Sequence, residues 1–114
     1  MTSTQREIEV SYDVSNEFFD LWLDRNMHYT SGTYRSGDET LEAAQVEKCR
    51  VLSDYAEITP DSLVLDIGCG WGSFLDYLVR ERGVKRAHGI TLSSSQLAWV
   101  NGRGTSGIWS GLPA

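Results

Sequence analysis

The segment LDIGCGWG, from Leu65 to Gly72, constrains the fold of this chain more than any other stretch. Gly68, Gly70 and Gly72 alternate with larger residues, directly after an apolar run and directly before a segment of helical periodicity. Glycine tolerates left-handed backbone conformations and leaves the main chain open to close approach by a ligand. A strand that turns through glycines into a helix is where open α/β sheets bind their cofactors.

The segments around this turn predict a βαβ unit. Ser62–Ile67 has the sequence SLVLDI, a continuous apolar run typical of a parallel strand covered on both faces. Ser73–Arg82 is predicted to be a helix with an inward apolar face. Ala87–Leu92 is predicted as the second strand, and Ser93 as the cap of a helix that ends near Val100. The chain is therefore predicted to be α/β, with a right-handed crossover.

The rest of the chain differs from this unit. Asn16 is predicted to cap a helix through EFFDLWLD, and Thr40 to cap a longer helix whose apolar residues follow helical spacing. The predicted divisions are an N-terminal helical cap segment (1–60), a partial cofactor-binding domain (61–100) and a glycine-rich tail (101–114). The tail predicts irregular turns rather than another strand. With two strands only, the sheet would be incomplete, and the first strand would keep one edge unpaired and part of each face uncovered.

Charge and hydropathy exclude several classes of protein. The 114 residues carry a formal net charge of −6 and lack the clustered Lys and Arg surface that binds nucleic acid. No apolar run approaches the ~18 residues that a membrane span requires. The basic segment Arg80–Arg86 is predicted to be a solvated helix end, and peripheral contact with an anionic membrane is its alternative.

The cysteines and histidines form no recognisable metal motif. Cys49 and Cys69 lie far apart in the sequence without CxxC spacing, so neither a zinc site nor a disulfide framework is predicted. We therefore expect a reducing, cytoplasmic setting. His28 and His88 lack acids or cysteines at metal-ligand spacing and are predicted to be structural or solvated.

The spacing of the glycines distinguishes two kinds of cofactor. A dinucleotide-binding turn has the pattern GxGxxG, which would place glycine where this chain has Ser73. The pattern here is GxGxG after Asp66, which is typical of S-adenosylmethionine sites; a purely structural turn is the alternative. The second strand ends in TLS and offers no acid for the ribose hydroxyls. Gln96, which has both a donor and an acceptor, is predicted to take that role, with an exposed helix glutamine as the alternative.

Four segments together resemble one protein family. YDVSNEFFDLWLDRNMHYTSGTY, TLEAAQVEK, VLDIGCGWG and GITLSSSQ are similar, in order and spacing, to the cyclopropane fatty acid and mycolic acid synthase family of class I methyltransferases. The resemblance implies a Rossmann-like fold and S-adenosylmethionine-dependent transfer of a methyl or methylene group to an alkene carbon of an acyl chain or related lipid. By resemblance, the cofactor-binding residues are Tyr29, Thr30, Asp66, Gly68, Cys69, Gly70, Trp71, Gly72, Thr91, Leu92, Ser93 and Gln96.

The sequence departs from the family pattern in two places. The family loop has Tyr-Ser-Cys where this chain has Tyr29, Thr30 and Ser31, which puts the family's bicarbonate base in question and would suit a natural-product C-methyltransferase on the same scaffold. The family also continues into strands that carry the base and the acyl pocket. We therefore expect a truncated methyltransferase whose acceptor is an acyl chain, a lipid or a small molecule, and predict no catalytic residue. A non-catalytic cofactor-binding remnant and a binding module that offers its sheet edge to a partner are the alternatives.

Overall fold

The computed structural model describes Thr4, Arg6, residues 16–102 and the pair Ile108–Trp109. The elements, in chain order, are α1 (Asn16–Asp20), α2 (Leu41–Tyr55), β1 (Leu63–Ile67), α3 (Ser73–Arg82), β2 (Arg86–Ile90), α4 (Ser94–Gly102) and β3 (Ile108–Trp109). Strands and helices alternate from β1 onward, which confirms the predicted α/β class. Within these ranges, no helix combines the length and apolar character needed to cross a bilayer.

The sheet is parallel, with the strand order β1–β2–β3. β1 pairs with β2 along its whole length, so that Asp66 lies opposite Gly89 and Ile67 opposite Ile90. The carboxyl ends of both strands therefore meet at one edge of the sheet.

The short strand β3 corrects the prediction that the tail adds no strand. Ile108 pairs with His88, and Trp109 pairs with Gly89, on the side of β2 that faces away from β1. The free edge of β2 would have unpaired N–H and C=O groups, which a further strand can satisfy. A β-branched residue followed by an aromatic one favours the extended backbone of such a strand. The remainder of the predicted tail, residues 103–107 and 110–114, lies outside the described residues.

The main apolar core lies between α3 and β2. Leu75 and Leu78 of α3 are fully buried together with Val84 and Ala87. The helix ends at Gly83, whose φ of 68° closes it in the left-handed conformation. The inward face predicted for this helix is confirmed.

A second, aromatic core joins the N-terminal segment to the glycine turn. Phe19, Met27 and Trp71 are buried together, and the Phe19 and Trp71 ring centroids are 5.0 Å apart. The indole Nε1 of Trp71 donates to Asn16 Oδ1 at 3.0 Å, and Asn16 Nδ2 donates to the Ser95 carbonyl at 3.3 Å. The side chain predicted to cap α1 therefore ties α1 to the turn and to α4.

The buried face of α2 is mostly polar or small rather than aliphatic. Ala44, Gln45, Cys49 and Ser53 are its buried residues, whereas leucines on the same helix are exposed. Thr40 Oγ1 accepts from the Ala43 N–H, as the predicted cap requires. Buried polar groups must find hydrogen-bond partners, so this face of α2 can only dock against a neighbour that supplies them.

One face of β1 is open within the described part of the chain. Leu63, Leu65 and Ile67 alternate on this face and are exposed, Ile67 to 78%. Val64 lies on the other face and packs against the main core. Among the described residues, one face of β1 packs on the core and the other is open. The sheet is therefore incomplete as predicted, although the uncovered surface lies on one face rather than on part of each.

We expect the 114-residue chain, taken alone, to unfold at low temperature with weak cooperativity. Apolar side chains on the open face of β1 contribute little stabilisation while they remain in water. Circular dichroism melts at several protein concentrations measure this directly. A sharp, high-temperature transition of a monomer would contradict the expectation.

Gly89 is predicted to be intolerant of any side chain. A Cβ at this position would lie 2.6 Å from Leu75 Cδ1 and 2.7 Å from Cys69 Sγ, so these packed side chains would have to shift. We expect Gly89→Ala to lower the free energy of unfolding by about 1–3 kcal/mol in urea titrations. Gly102→Ala is the matched control, because a Cβ there meets nothing within 4 Å. Equal urea midpoints for the two variants would show that this close approach does not exist.

Candidate functional site

The turn between β1 and α3 has a left-handed backbone at all three glycines. The φ angles are 75° at Gly68, 58° at Gly70 and 81° at Gly72. A Cβ on Gly68 or Gly70 would meet nothing within 4 Å, so crowding by the protein is not what excludes side chains there. Glycine is required because this conformation is strained for other residues, and the space above the turn stays open.

The turn is tied to the end of β2 by its own N–H groups. Gly68 and Cys69 both donate to the Ile90 carbonyl, at 2.8 and 3.0 Å, and Gly72 donates to the Cys69 carbonyl at 3.0 Å. The sequence suggested that such groups would point at a ligand, but these three are used within the chain. Their role is to hold the turn rigidly against the second strand.

Two cavities adjoin at this turn. The first has a volume of about 210 Å³ and lies against the turn, α2 and the loop before it. Its lining residues are Met27, His28, Tyr29, Thr30, Lys48, Leu52, Asp66, Gly68, Cys69, Gly70, Trp71, Ser73 and Phe74.

The second cavity lies at the end of β2 and has a volume of about 250 Å³. It shares Tyr29, Thr30, Gly68 and Gly70 with the first cavity and adds residues from the TLSSSQ segment. Those additional residues are Thr91, Leu92, Ser93 and Gln96. The structure thus brings every predicted cofactor residue except Gly72 to the wall of one of two adjoining cavities.

Gln96 is held in place by the residues that precede it. Its amide oxygen accepts from Thr91 Oγ1 at 2.9 Å, and its backbone N–H donates to Ser93 Oγ at 3.2 Å. Thr91 Oγ1 in turn accepts from the Ser93 N–H at 3.2 Å. All three side chains are buried, so the alternative of an exposed helix glutamine is wrong. The amide oxygen that the sequence offered to a ligand is already engaged with Thr91.

Trp71 has a structural role that the sequence did not indicate. Its side chain is 1% exposed and packs in the aromatic core, with its ring centroid 6.0 Å from that of Tyr29. Tyr29 is half-exposed and also packs against Phe19, at 5.4 Å between centroids. The indole therefore positions a tyrosine that lines both cavities.

The loop that carries Tyr29 and Thr30 is fastened to α2. Gln45 Nε2 donates to the Thr30 carbonyl at 2.8 Å, and Lys48 Nζ donates to Thr30 Oγ1 at 2.8 Å. The hydroxyl of Ser73, at the start of α3, donates to the Asn26 carbonyl in the same loop. These bonds explain why polar residues of α2 face inward.

A buried hydrogen-bond relay supports the same loop from behind. Asp24 accepts from the His28 backbone N–H at 2.7 Å and lies 3.0 Å from His28 Nδ1. His28 Nε2 lies 3.2 Å from Cys49 Sγ on α2. The arrangement orients the imidazole between an acid and a thiol, and the structural role predicted for this histidine is consistent with its burial. Among the described residues, no group of His, Cys, Asp and Glu is arranged to hold a metal ion.

Burial dominates the electrostatics of the first cavity. It raises the pKa of Asp66 at the end of β1 and lowers the pKa of Lys48 on α2. The nearby Cys49 and Asp24 raise the pKa of Lys48 and so offset part of the lowering by burial. The cavity therefore contains two groups of opposite charge, each of which is partly removed from water.

Lys48 and His28 are cavity residues that the sequence did not identify as functional. Lys48 is the last residue of TLEAAQVEK, one of the segments that carries the family resemblance, so a signal was present. His28 directly precedes the predicted Tyr29 and Thr30, but nothing in the sequence indicates its contact with Cys49, which is 21 positions away.

Both cysteines are expected to be unreactive in the folded chain. Burial raises the pKa of Cys49 and of Cys69 to about 11, so both are neutral thiols at pH 8. Relative to the chain in urea, we expect about 100-fold slower reaction with a disulfide reagent at pH 8, rising about tenfold per pH unit toward pH 11. The variants Cys49→Ser and Cys69→Ser show which cysteine each reaction rate belongs to. Fast stoichiometric labelling of the folded chain at pH 8 would contradict this expectation.

Comparison with known proteins shows a consistent group of relatives. A family model described as mycolic acid cyclopropane synthetase matches residues 1–106. Cyclopropane mycolic acid synthase 2 of Mycobacterium bovis is 46% identical over 87 residues, which cover 76% of this chain and 28% of that protein. The matched part of the chain thus spans less than a third of the length of this relative.

Solved structures agree with the sequence comparison. The cyclopropane synthase MmaA2 from Mycobacterium tuberculosis aligns with a TM-score of 0.86 and 31% identity, covering 98% of this chain and 40% of that one. The mycolic acid cyclopropane synthase CmaA1, complexed with SAH and CTAB, aligns with a TM-score of 0.85 and 27% identity. In that comparison the alignment covers 97% of this chain and 39% of that chain.

Proposed function

This chain belongs to the mycolic acid cyclopropane synthetase family, and from that membership we propose that it is the cofactor-binding part of an S-adenosylmethionine-dependent methyltransferase. The proposed acceptor is an alkene carbon of an acyl chain or related lipid, as the names of its relatives suggest. A cytoplasmic setting is part of the proposal, and the free thiols of Cys49 and Cys69 support it.

The observation that carries the proposal is the pair of adjoining cavities above the glycine turn. They meet at Gly68 and Gly70, where the protein leaves the backbone open, and they lie at the carboxyl ends of β1 and β2. A two-part ligand with a nucleoside and an amino-acid half suits two cavities that share one wall. SAH, the demethylated form of this cofactor, is bound in the CmaA1 structure.

Each cavity has side chains whose chemistry suits one half of the cofactor. Ser93, Gln96 and Thr91 give the second cavity hydroxyl and amide groups of the kind that bind ribose and adenine. Tyr29 and Leu92 add apolar surface there. Asp66 adds a carboxylate to the first cavity, where it can bind an ammonium group.

The cofactor, when bound, supplies an electrophilic methyl group, and the residues of this chain supply binding, orientation and exclusion of water. The turn is fixed to β2, and the Tyr29–Thr30 loop is fixed to α2, so the two walls of the site are held at a set separation. Rigid walls of this kind allow a reactive group to be presented in one orientation. The buried aromatic core packs against Tyr29 and supports this wall of the site.

Substitution of the central glycine tests the proposal. A valine at position 70 would be strained at a φ of 58° and would project into the space where the cavities meet. We expect Gly70→Val to weaken S-adenosylhomocysteine binding at least tenfold, about 1.4 kcal/mol, in titration calorimetry.

Gly37→Val is the matched control for that experiment. Gly37 has a φ of 90° and open space at its Cβ, so valine imposes comparable backbone strain, but it lines neither cavity. The control should bind S-adenosylhomocysteine as the parent chain does. Identical affinities of Gly70→Val and the parent chain would overturn the assignment of the turn.

A further inference from the structure

Lys48 occupies a distinctive place in the first cavity. It is the one Lys or Arg among the described residues that line this cavity. Its ammonium group lies 2.8 Å from Thr30 Oγ1 and 3.4 Å from the Thr30 carbonyl oxygen. Because Thr30 lines both cavities, the ammonium group lies close to the place where they join.

Lys48 and Asp66 line the same cavity without neutralising each other. In the described part of the chain, neither side chain takes part in an ion pair. Burial raises the pKa of Asp66, as expected for a carboxyl group that is partly removed from water. Partly buried charges without partners are costly, so this pair is complementary to a ligand that carries both charges itself.

The amino-acid half of the cofactor is such a ligand, because it has an α-carboxylate and an α-ammonium group on one carbon. We propose that Lys48 binds the α-carboxylate of this amino-acid half, with the α-ammonium group turned toward Asp66. This inference rests on the proposed function, since it assigns one end of the same cofactor. An ammonium-to-carboxylate hydrogen bond is charge-assisted and stronger than a neutral one.

Thr30 is positioned to complete this carboxylate site. Its hydroxyl is oriented by Lys48, and its carbonyl is held by Gln45 Nε2 at 2.8 Å. The hydroxyl can donate to a carboxylate while it accepts from the ammonium group. The contact seen between Lys48 and Thr30 therefore prepares two donors on one side of the cavity.

A purely structural lysine would behave differently from a carboxylate-binding one. If Lys48 only fastened Thr30 to α2, its removal would loosen a residue that lines both cavities. Every ligand of the site would then bind less tightly, whether or not it carried a carboxylate. A ligand that differs from the cofactor only in lacking the carboxylate distinguishes a carboxylate-binding lysine from a purely structural one.

The test compares S-adenosylmethionine with its decarboxylated form, which keeps the sulfonium and the amino group. Titration calorimetry is carried out on the 114-residue chain and on Lys48→Met. We expect the substitution to weaken S-adenosylmethionine binding by about 10–100-fold and to change the affinity for the decarboxylated form less than about twofold. Lys48→Arg, which keeps the charge, should retain most of the preference for the carboxylate.

Lys85→Met is the matched control, because Lys85 is exposed and its ion-pair partner Asp61 lies 3.6 Å away at the surface. It should bind both ligands as the parent chain does. Equal weakening of both ligands by Lys48→Met, or no change in either, would overturn the role of Lys48 while leaving the proposed function standing. A parent chain that binds neither ligand would overturn the proposed function, and this inference with it.

Discussion

The site depends on two hydrogen bonds from the glycine turn to one carbonyl group. Gly68 and Cys69 both donate to Ile90 at the end of β2, which fixes the exit from β1 against the neighbouring strand. Without that anchor, a run of glycines would sample many conformations, because glycine has the largest backbone entropy to lose. The two strand ends are thereby held together, and the open space above the turn becomes a cavity of defined shape.

The N-terminal segment matters because it forms the opposite wall. It is attached through the aromatic core of Phe19, Met27 and Trp71 and through directional polar contacts. These contacts are Gln45 to Thr30, His28 to Cys49, and Trp71 to Asn16. Directional bonds of this kind determine the separation of two surfaces more narrowly than apolar contact does. A helix face made of Ala44, Gln45, Cys49 and Ser53 is therefore suited to positioning a loop, at some cost in hydrophobic stabilisation.

Much of the site could be predicted from local sequence, and the reasons are physical. Glycine spacing, a preceding acid and an apolar strand are short-range features, so the turn from Asp66 to Gly72 was identifiable without a fold. The resemblance to a family added Tyr29 and Thr30, which no local pattern indicates. The positions of Lys48 and of the relay through His28 could not be predicted, since they depend on contacts between distant parts of the chain. The strand β3 was not predicted because two residues are too few to show a strand pattern, and pairing with β2 stabilises it.

The sequence by itself determined the α/β class, the position of the glycine turn and eleven of the seventeen residues that line the two cavities. It did so because propensity, capping and glycine stereochemistry act over a few residues. Only the tertiary structure decided how each group is placed there. The N–H groups of Gly68 and Cys69 bind Ile90, Trp71 is a core residue, and Lys48 and Asp66 line one cavity without an ion-pair partner among the described residues. Those outcomes depend on how separate segments of the chain pack against each other. The order of residues along the chain does not specify the distances between such segments.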